Sequence, residues 1–180
     1  MTAANTHPPS HLPVEGSITL IGMAGAGKST VGRELAVALR LGHVDTDRII
    51  ESYFGADLES IFQQLGRDRF LKAEESLVAG LSARHCIIST GGSVIYGPAA
   101  VARLKELGPL VFLRTRLETV ETRLAQCGER GLAIAPGQSF ADLYAERQPL
   151  YEQAADFTVD TDDRTPDAVT GAIIDWLNKD

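Results

Sequence analysis

Eight consecutive residues, Gly22-Met23-Ala24-Gly25-Ala26-Gly27-Lys28-Ser29, satisfy the spacing G-x-x-x-x-G-K-[ST]. The glycines and alanines leave no bulk between main-chain N–H groups and a phosphate. A helix opening at the end of such a loop adds the positive end of its dipole; Lys28 can reach β and γ oxygens, and Ser29 can ligate Mg²⁺. The ligand implied is a purine nucleoside triphosphate with magnesium. A second cluster, His43-Val44-Asp45-Thr46-Asp47, holds two carboxylates two residues apart. On an extended backbone they point the same way. With this strand beside the phosphate-loop strand, one carboxylate would sit near the metal and phosphates and the other toward an acceptor hydroxyl. The competing use of Asp45 is as an Asx turn or a helix N-cap for Asp47-Arg48-Ile49-Ile50. Three arginines, Arg123, Arg130 and Arg147, surround one glycine-rich stretch, where mobile positive charge could close over a transferring phosphoryl group.

Positioning these residues requires strands that end at one edge. Apolar runs of strand length alternate with segments of helical period: ITLIG then STVGRELAVALR, HVDTD then several short helices to about Ala83, CIIST then GPAAVARLKEL, LVFLR then LETVETRLAQC, FTVDT then TPDAVTGAIIDWL. Five β-α units with strands rich in Ile, Val and Leu imply a three-layer α/β/α fold. Its five-stranded parallel sheet is covered on both faces, and ligands bind outside the carboxyl ends of the strands. Residues 1–16 hold three of the eight prolines and read as a flexible leader to a single domain over 17–180. Residues 128–138, with three glycines and a proline between two helices, read as a mobile lid.

The 180 residues suit one domain, and 44% hydrophobic with 23% charged residues allow a sizeable core. A formal charge of −7 disfavours nucleic acid and anionic membranes as partners. No apolar stretch reaches the roughly 20 residues needed to span a bilayer. Two cysteines, Cys86 and Cys127, read as free thiols, which fits a reducing, cytoplasmic setting. Without a coiled-coil heptad or an obvious apolar surface face, a monomer acting on a small molecule is the expectation.

Taken in order, these motifs resemble the shikimate kinase family, within the nucleoside-monophosphate-kinase-like P-loop folds, over about Ser17 to Leu177. The resemblance implies ATP and Mg²⁺ and transfer of a phosphoryl group to a hydroxyl. It assigns Gly25, Ala26, Gly27, Lys28, Ser29 and Thr30 to the phosphate loop, and Ser29 with Asp45 to the metal. Asp47 becomes the base or hydroxyl-orienting group. Phe70-Leu71-Lys72-Ala73-Glu74 matches an F-R-x-x-E segment, and Thr90-Gly91-Gly92-Ser93 a glycine-rich substrate loop. Arg123 and Arg130 keep the spacing of two nucleotide-contacting lid arginines, with Arg130 also stabilising the developing charge. Arg147 in ERQPLY matches the arginine that grips the substrate carboxylate, and Arg164 and Pro166 lie in the adenine loop.

Departures from the family pattern concentrate on the acceptor side. Leu71 stands where the family has a second carboxylate-binding arginine, TGGS is one glycine short of the usual triple, and Gly131 replaces a proline after Arg130. Loss of a charged donor costs about 1.5–3 kcal/mol. By resemblance the default acceptor is shikimate, with Arg67, four residues before Leu71, as the candidate replacement cation; Leu71 and TGGS argue instead for another hydroxy acid, amino acid or sugar acid such as homoserine, threonine or gluconate. A nucleotide-dependent switch is the remote reading, since Asn178-Lys179-Asp180 is too short for N-K-x-D.

Overall fold

The computed structural model describes residues 16–127, 133–134 and 137–179. The leader, apart from Gly16, lies outside the described residues, as do 128–132 and 135–136 of the expected lid, with Arg130 and Gly131. Strands β1 (Ile18–Ile21), β2 (Gly42–Asp45), β3 (Cys86–Ser89), β4 (Leu110–Arg114) and β5 (Phe157–Asp160) form one sheet in the order β2-β3-β1-β4-β5. All pairings are parallel. The five-stranded parallel α/β architecture expected from the alternating pattern is therefore what the chain adopts.

Side chains alternate across the central strands because the strand period is two. Leu20, Ile87, Val111 and Leu113 point to the face covered by α1 (Lys28–Leu39) and α7 (Pro166–Leu177), against Leu35, Val169 and Ile173. Ile21, Ile88 and Phe112 point to the other face, under α4 (Pro98–Leu107) and α6 (Phe140–Ala154), against Leu104, Leu143 and Tyr151. Burial on both faces is why these strands read as unbroken apolar runs. Each Ile or Leu so buried contributes about 1.5–3 kcal/mol.

The stretch after β2 folds into α2 (Thr46–Phe54) and α3 (Leu58–Ala79), and α3 is itself two helical pieces joined at Gly66, whose φ of 69° and ψ of 167° are non-helical, so several short helices are what this stretch forms. One element differs from the sequence reading. A 3-10 helix, Gly92–Tyr96, follows β3 and brings Tyr96 toward α6. Nothing in its composition announced it, since 3-10 turns carry no long apolar period. The sheet order also places β3 between β2 and the phosphate-loop strand β1, so β2 is not β1's neighbour.

Candidate active site

The loop from Gly22 to Gly27 turns sharply where β1 feeds α1. Gly22, Gly25 and Gly27 have φ of 140°, 83° and 94°, conformations that L side chains rarely adopt. No side chain caps α1 and no acid occupies its first turn, so the positive end of the helix dipole is left for an anionic ligand. Lys28 folds back over the loop. Its Nζ donates to the carbonyls of Gly22 and Met23, both at 2.8 Å. Burial lowers its pKa to about 8, against the opposing field of Asp47.

Ser29 donates to Asp45 Oδ2 at 2.7 Å, while Asp45 Oδ1 accepts from the Asp47 amide at 3.1 Å and caps α2. The two uses weighed for Asp45 thus coexist: one oxygen caps the helix and the other meets the phosphate-loop serine. This contact forms although β3 separates β2 from β1, because α1 packs over β2 and β3. The expectation that Asp45 and Asp47 share an orientation through strand alternation is corrected. Asp45 ends β2 in extended geometry, whereas Asp47 lies in the first turn of α2.

Asp47 instead meets the loop after β3. A Cβ placed on Gly91 would lie 2.7 Å from Asp47 Oδ1 and 2.5 Å from Glu74 Oε1, so two carboxylates converge where only a glycine leaves room. The Gly91 amide donates to Thr46 Oγ1 at 3.1 Å, and Thr90 Oγ1 donates to the Leu20 carbonyl at 3.0 Å. These bonds tie the substrate-loop candidate to both α2 and β1. Glu74, from α3, is 2% exposed. Burial pushes its carboxyl up to about 7; the Asp47 charge adds to the shift, while Ser93 and the Arg147 charge oppose it.

A raised folded-state pKa means that this carboxyl's stabilising contribution is complete below about pH 4.5 and is lost as pH climbs through about 7. Glu74→Gln should remove that slope. Denaturant unfolding between pH 5 and pH 8 is expected to show the variant gaining roughly 3 kcal/mol relative to the parent across the range, and a constant difference would contradict the buried acid.

Arg147 comes from α6, is 1% exposed, and donates through Nε to Tyr96 Oη at 3.2 Å and through Nη2 to the Ala133 carbonyl at 3.4 Å. Among the described residues no carboxylate lies within ion-pair distance of it. Gly92 lets it approach: a Cβ there would stand 3.1 Å from Arg147 Nη1. The Tyr151 hydroxyl donates to the Gly92 carbonyl at 2.5 Å and holds the loop from below.

A cavity of about 1030 Å³ joins these groups. Its floor is Gly25 to Thr30; Asp45, Asp47, Gly91, Gly92 and Arg147 line one end, and Arg123, Arg164 and Pro166 the other. At that second end Arg123 donates to the carbonyls of Gly25 (3.2 Å) and Thr161 (3.4 Å), linking the phosphate loop to the loop after β5. Thus the sequence-derived set is largely brought together. Two do not line the cavity: Glu74 lies behind Gly91 beside Asp47, and Leu71 packs on the apolar cluster of Ile50, Ile61, Phe70 and Ala133. Its apolar side chain gains more from that cluster than from a polar cleft. Arg130 lies outside the described residues.

Sequence reasoning missed Tyr96 and His43. Tyr96 meets Arg147 only because of the 3-10 turn. His43 Nε2 bonds Ser89 Oγ at 2.9 Å, and Ser89 Oγ donates to the Lys28 carbonyl at 3.0 Å. Burial lowers the His43 pKa, which suits a neutral ring supporting the first turn of α1.

Three comparisons converge on this arrangement. The family model described as shikimate kinase matches residues 24–178. The shikimate kinase of Vibrio campbellii is 37% identical over 166 residues, covering 91% of this chain and 96% of the relative. That of Alteromonas mediterranea is 40% identical over 161 residues, covering 88% and 94%. The structure of Acinetobacter baumannii shikimate kinase in complex with shikimate superposes with a TM-score of 0.84 at 31% identity, covering 92% of this chain and 94% of the other. With a phosphate loop, an acidic pair and a buried cation around one cavity, the chain belongs to the shikimate kinase family, ATP-dependent kinases that phosphorylate a hydroxyl.

Proposed function

We propose that this protein transfers the γ-phosphoryl group of ATP to a hydroxyl of shikimate. The observation that carries the reading is Arg147: a buried guanidinium with no protein carboxylate partner among the described residues, lining the same cavity as Asp47 and the phosphate loop. A buried cation left unpaired is costly, and a carboxylate on the acceptor relieves that cost while placing the rest of the acceptor toward Asp47.

Ser29 and Asp45 present hard oxygen donors 2.7 Å apart beside the phosphate loop, a set that fits Mg²⁺ completed by phosphate oxygens and water. Bound there, the ion would neutralise charge on the β and γ phosphates. Lys28 binds the same oxygens once it exchanges the Gly22 and Met23 carbonyls for phosphate. Asp47 orients the acceptor hydroxyl and takes its proton; Glu74, Gly91 and Gly92 shape the acceptor end, with Arg147 on the carboxylate. Arg123, Arg164 and Pro166 flank the nucleotide, and Arg130 is assigned by its motif position to the transferring group. Leu71 keeps no polar role.

Release of ADP tests the reading. With saturating MgATP, shikimate should drive turnover in the range of about 1–10³ s⁻¹, while homoserine, threonine and gluconate should stay near the rate without acceptor. Turnover with one of those and not with shikimate would overturn the assignment.

A further inference from the structure

Arg147 has no carboxylate within ion-pair distance among the described residues, although an acid is its immediate neighbour in sequence. Glu146 does not pair with it; consecutive helical residues diverge around the axis, and Glu146 is occupied elsewhere. Gln138 Nε2 donates to Glu146 Oε2 at 2.5 Å, and Arg67 Nη2 lies 3.9 Å from Oε1. Glu146 is consequently held below the usual carboxylate range, led by Tyr96.

Arg67 reaches this position because of Gly66. The left-handed φ of 69° at Gly66 redirects α3, so that Arg67 lies over Tyr96 while Leu71, one turn on, packs into the α2–α3 cluster. The Arg67 guanidinium carbon is 5.3 Å from the centre of the Tyr96 ring, and that of Arg147 is 5.1 Å from the same centre. One aromatic ring therefore fixes two cations. The Tyr96 hydroxyl joins them to the acid: it accepts from Arg147 Nε and is the main influence holding the Glu146 carboxyl below its usual range. The Tyr96 hydroxyl thus stands between Glu146 and Arg147, and Arg67 is the only cation within ion-pair distance of Glu146 among the described residues. Arg67 Nε is buried and bonds nothing in the described structure, so the guanidinium is held by the ring and by Glu146.

We propose that Arg67 is a positioning residue: by holding Glu146 against Tyr96 it keeps the neighbouring acid from neutralising Arg147, and so reserves the Arg147 guanidinium for an acceptor carboxylate. The proposal rests on the assignment of Arg147 to that carboxylate. It gives this chain a determinant of acceptor affinity that does not itself line the cavity.

The test uses the full-length protein and steady-state kinetics with shikimate and MgATP. Arg67→Met keeps the aliphatic stem and removes the charge. It should raise KM for shikimate about tenfold, with KM for ATP unchanged and kcat within about threefold. Arg67→Lys should stay near the parent. The decisive variant is Arg67→Met with Glu146→Gln: once the acid is neutral it no longer competes for Arg147, and KM for shikimate should return to within about threefold of the parent. An unchanged shikimate KM in Arg67→Met overturns the proposal. A raised KM that Glu146→Gln fails to restore also overturns it, because Arg67 then acts on the acceptor directly or through packing. If the parent itself does not turn over shikimate, the proposed function fails and this inference fails with it; if the parent turns shikimate over, the variants judge the inference alone.

Discussion

Lys28→Met is expected to lower kcat by about 10³-fold or more, while the unfolding temperature moves by only a few degrees. Methionine preserves the length and apolar stem of lysine, so the packing of the first turn of α1 survives. What disappears is a buried ammonium that already spans the carbonyls of Gly22 and Met23 at 2.8 Å. In the reaction that ammonium must follow the phosphoryl group as charge moves onto the bridging oxygen. Removing one preorganised donor from such a site costs about 10²–10³ in rate, and cations on a transferring phosphoryl group contribute about 10³–10⁵. Burial lowers the lysine pKa to about 8, so the group is still mostly protonated at neutral pH before nucleotide arrives, and the anionic phosphates then favour the charged form further. Stopped ADP release with near-normal thermal unfolding would bear this out. A kcat within tenfold of the parent would show that the phosphate loop works without its cation.

The parts that were legible in the sequence share one property: they are local. The phosphate loop lies within eight consecutive residues, and the strands are continuous apolar runs because both faces of the sheet are covered. A seven-residue window cannot show what comes together from distant segments. Glu74 lies 17 residues before Gly91, and its carboxyl is pushed up because Asp47 and a buried pocket meet it there. Tyr96 gained its role only when a short 3-10 turn delivered it to Arg147, 51 residues on. Leu71 shows the opposite failure. Its motif position pointed to the acceptor, but the packing of α2 on α3 claimed the side chain for an apolar cluster. Position within a motif fixed the backbone; the chemistry of each side chain followed its neighbours.

The roles of the two aspartates can be separated by substitution, because their environments differ more than their spacing suggests. Asp45 faces Ser29 and caps α2, so Asp45→Asn should act through the metal and the helix start: weaker productive binding of MgATP, partly offset by excess Mg²⁺, and a modest loss of stability. Asp47 lies in the first turn of α2, shares the space over Gly91 with Glu74 and is the largest opposing charge felt by Lys28. Asp47→Asn should therefore leave MgATP binding nearly intact and lower kcat by about 10²–10⁴, the range that a positioned general base supplies. Excess Mg²⁺ should not restore it. The amide can still accept a hydrogen bond from the acceptor hydroxyl but cannot take its proton, so KM for shikimate should change much less than kcat. Calorimetric titration of MgATP alongside initial rates distinguishes the two aspartates, and a rescue of Asp47→Asn by Mg²⁺ would move that residue from the acceptor to the metal.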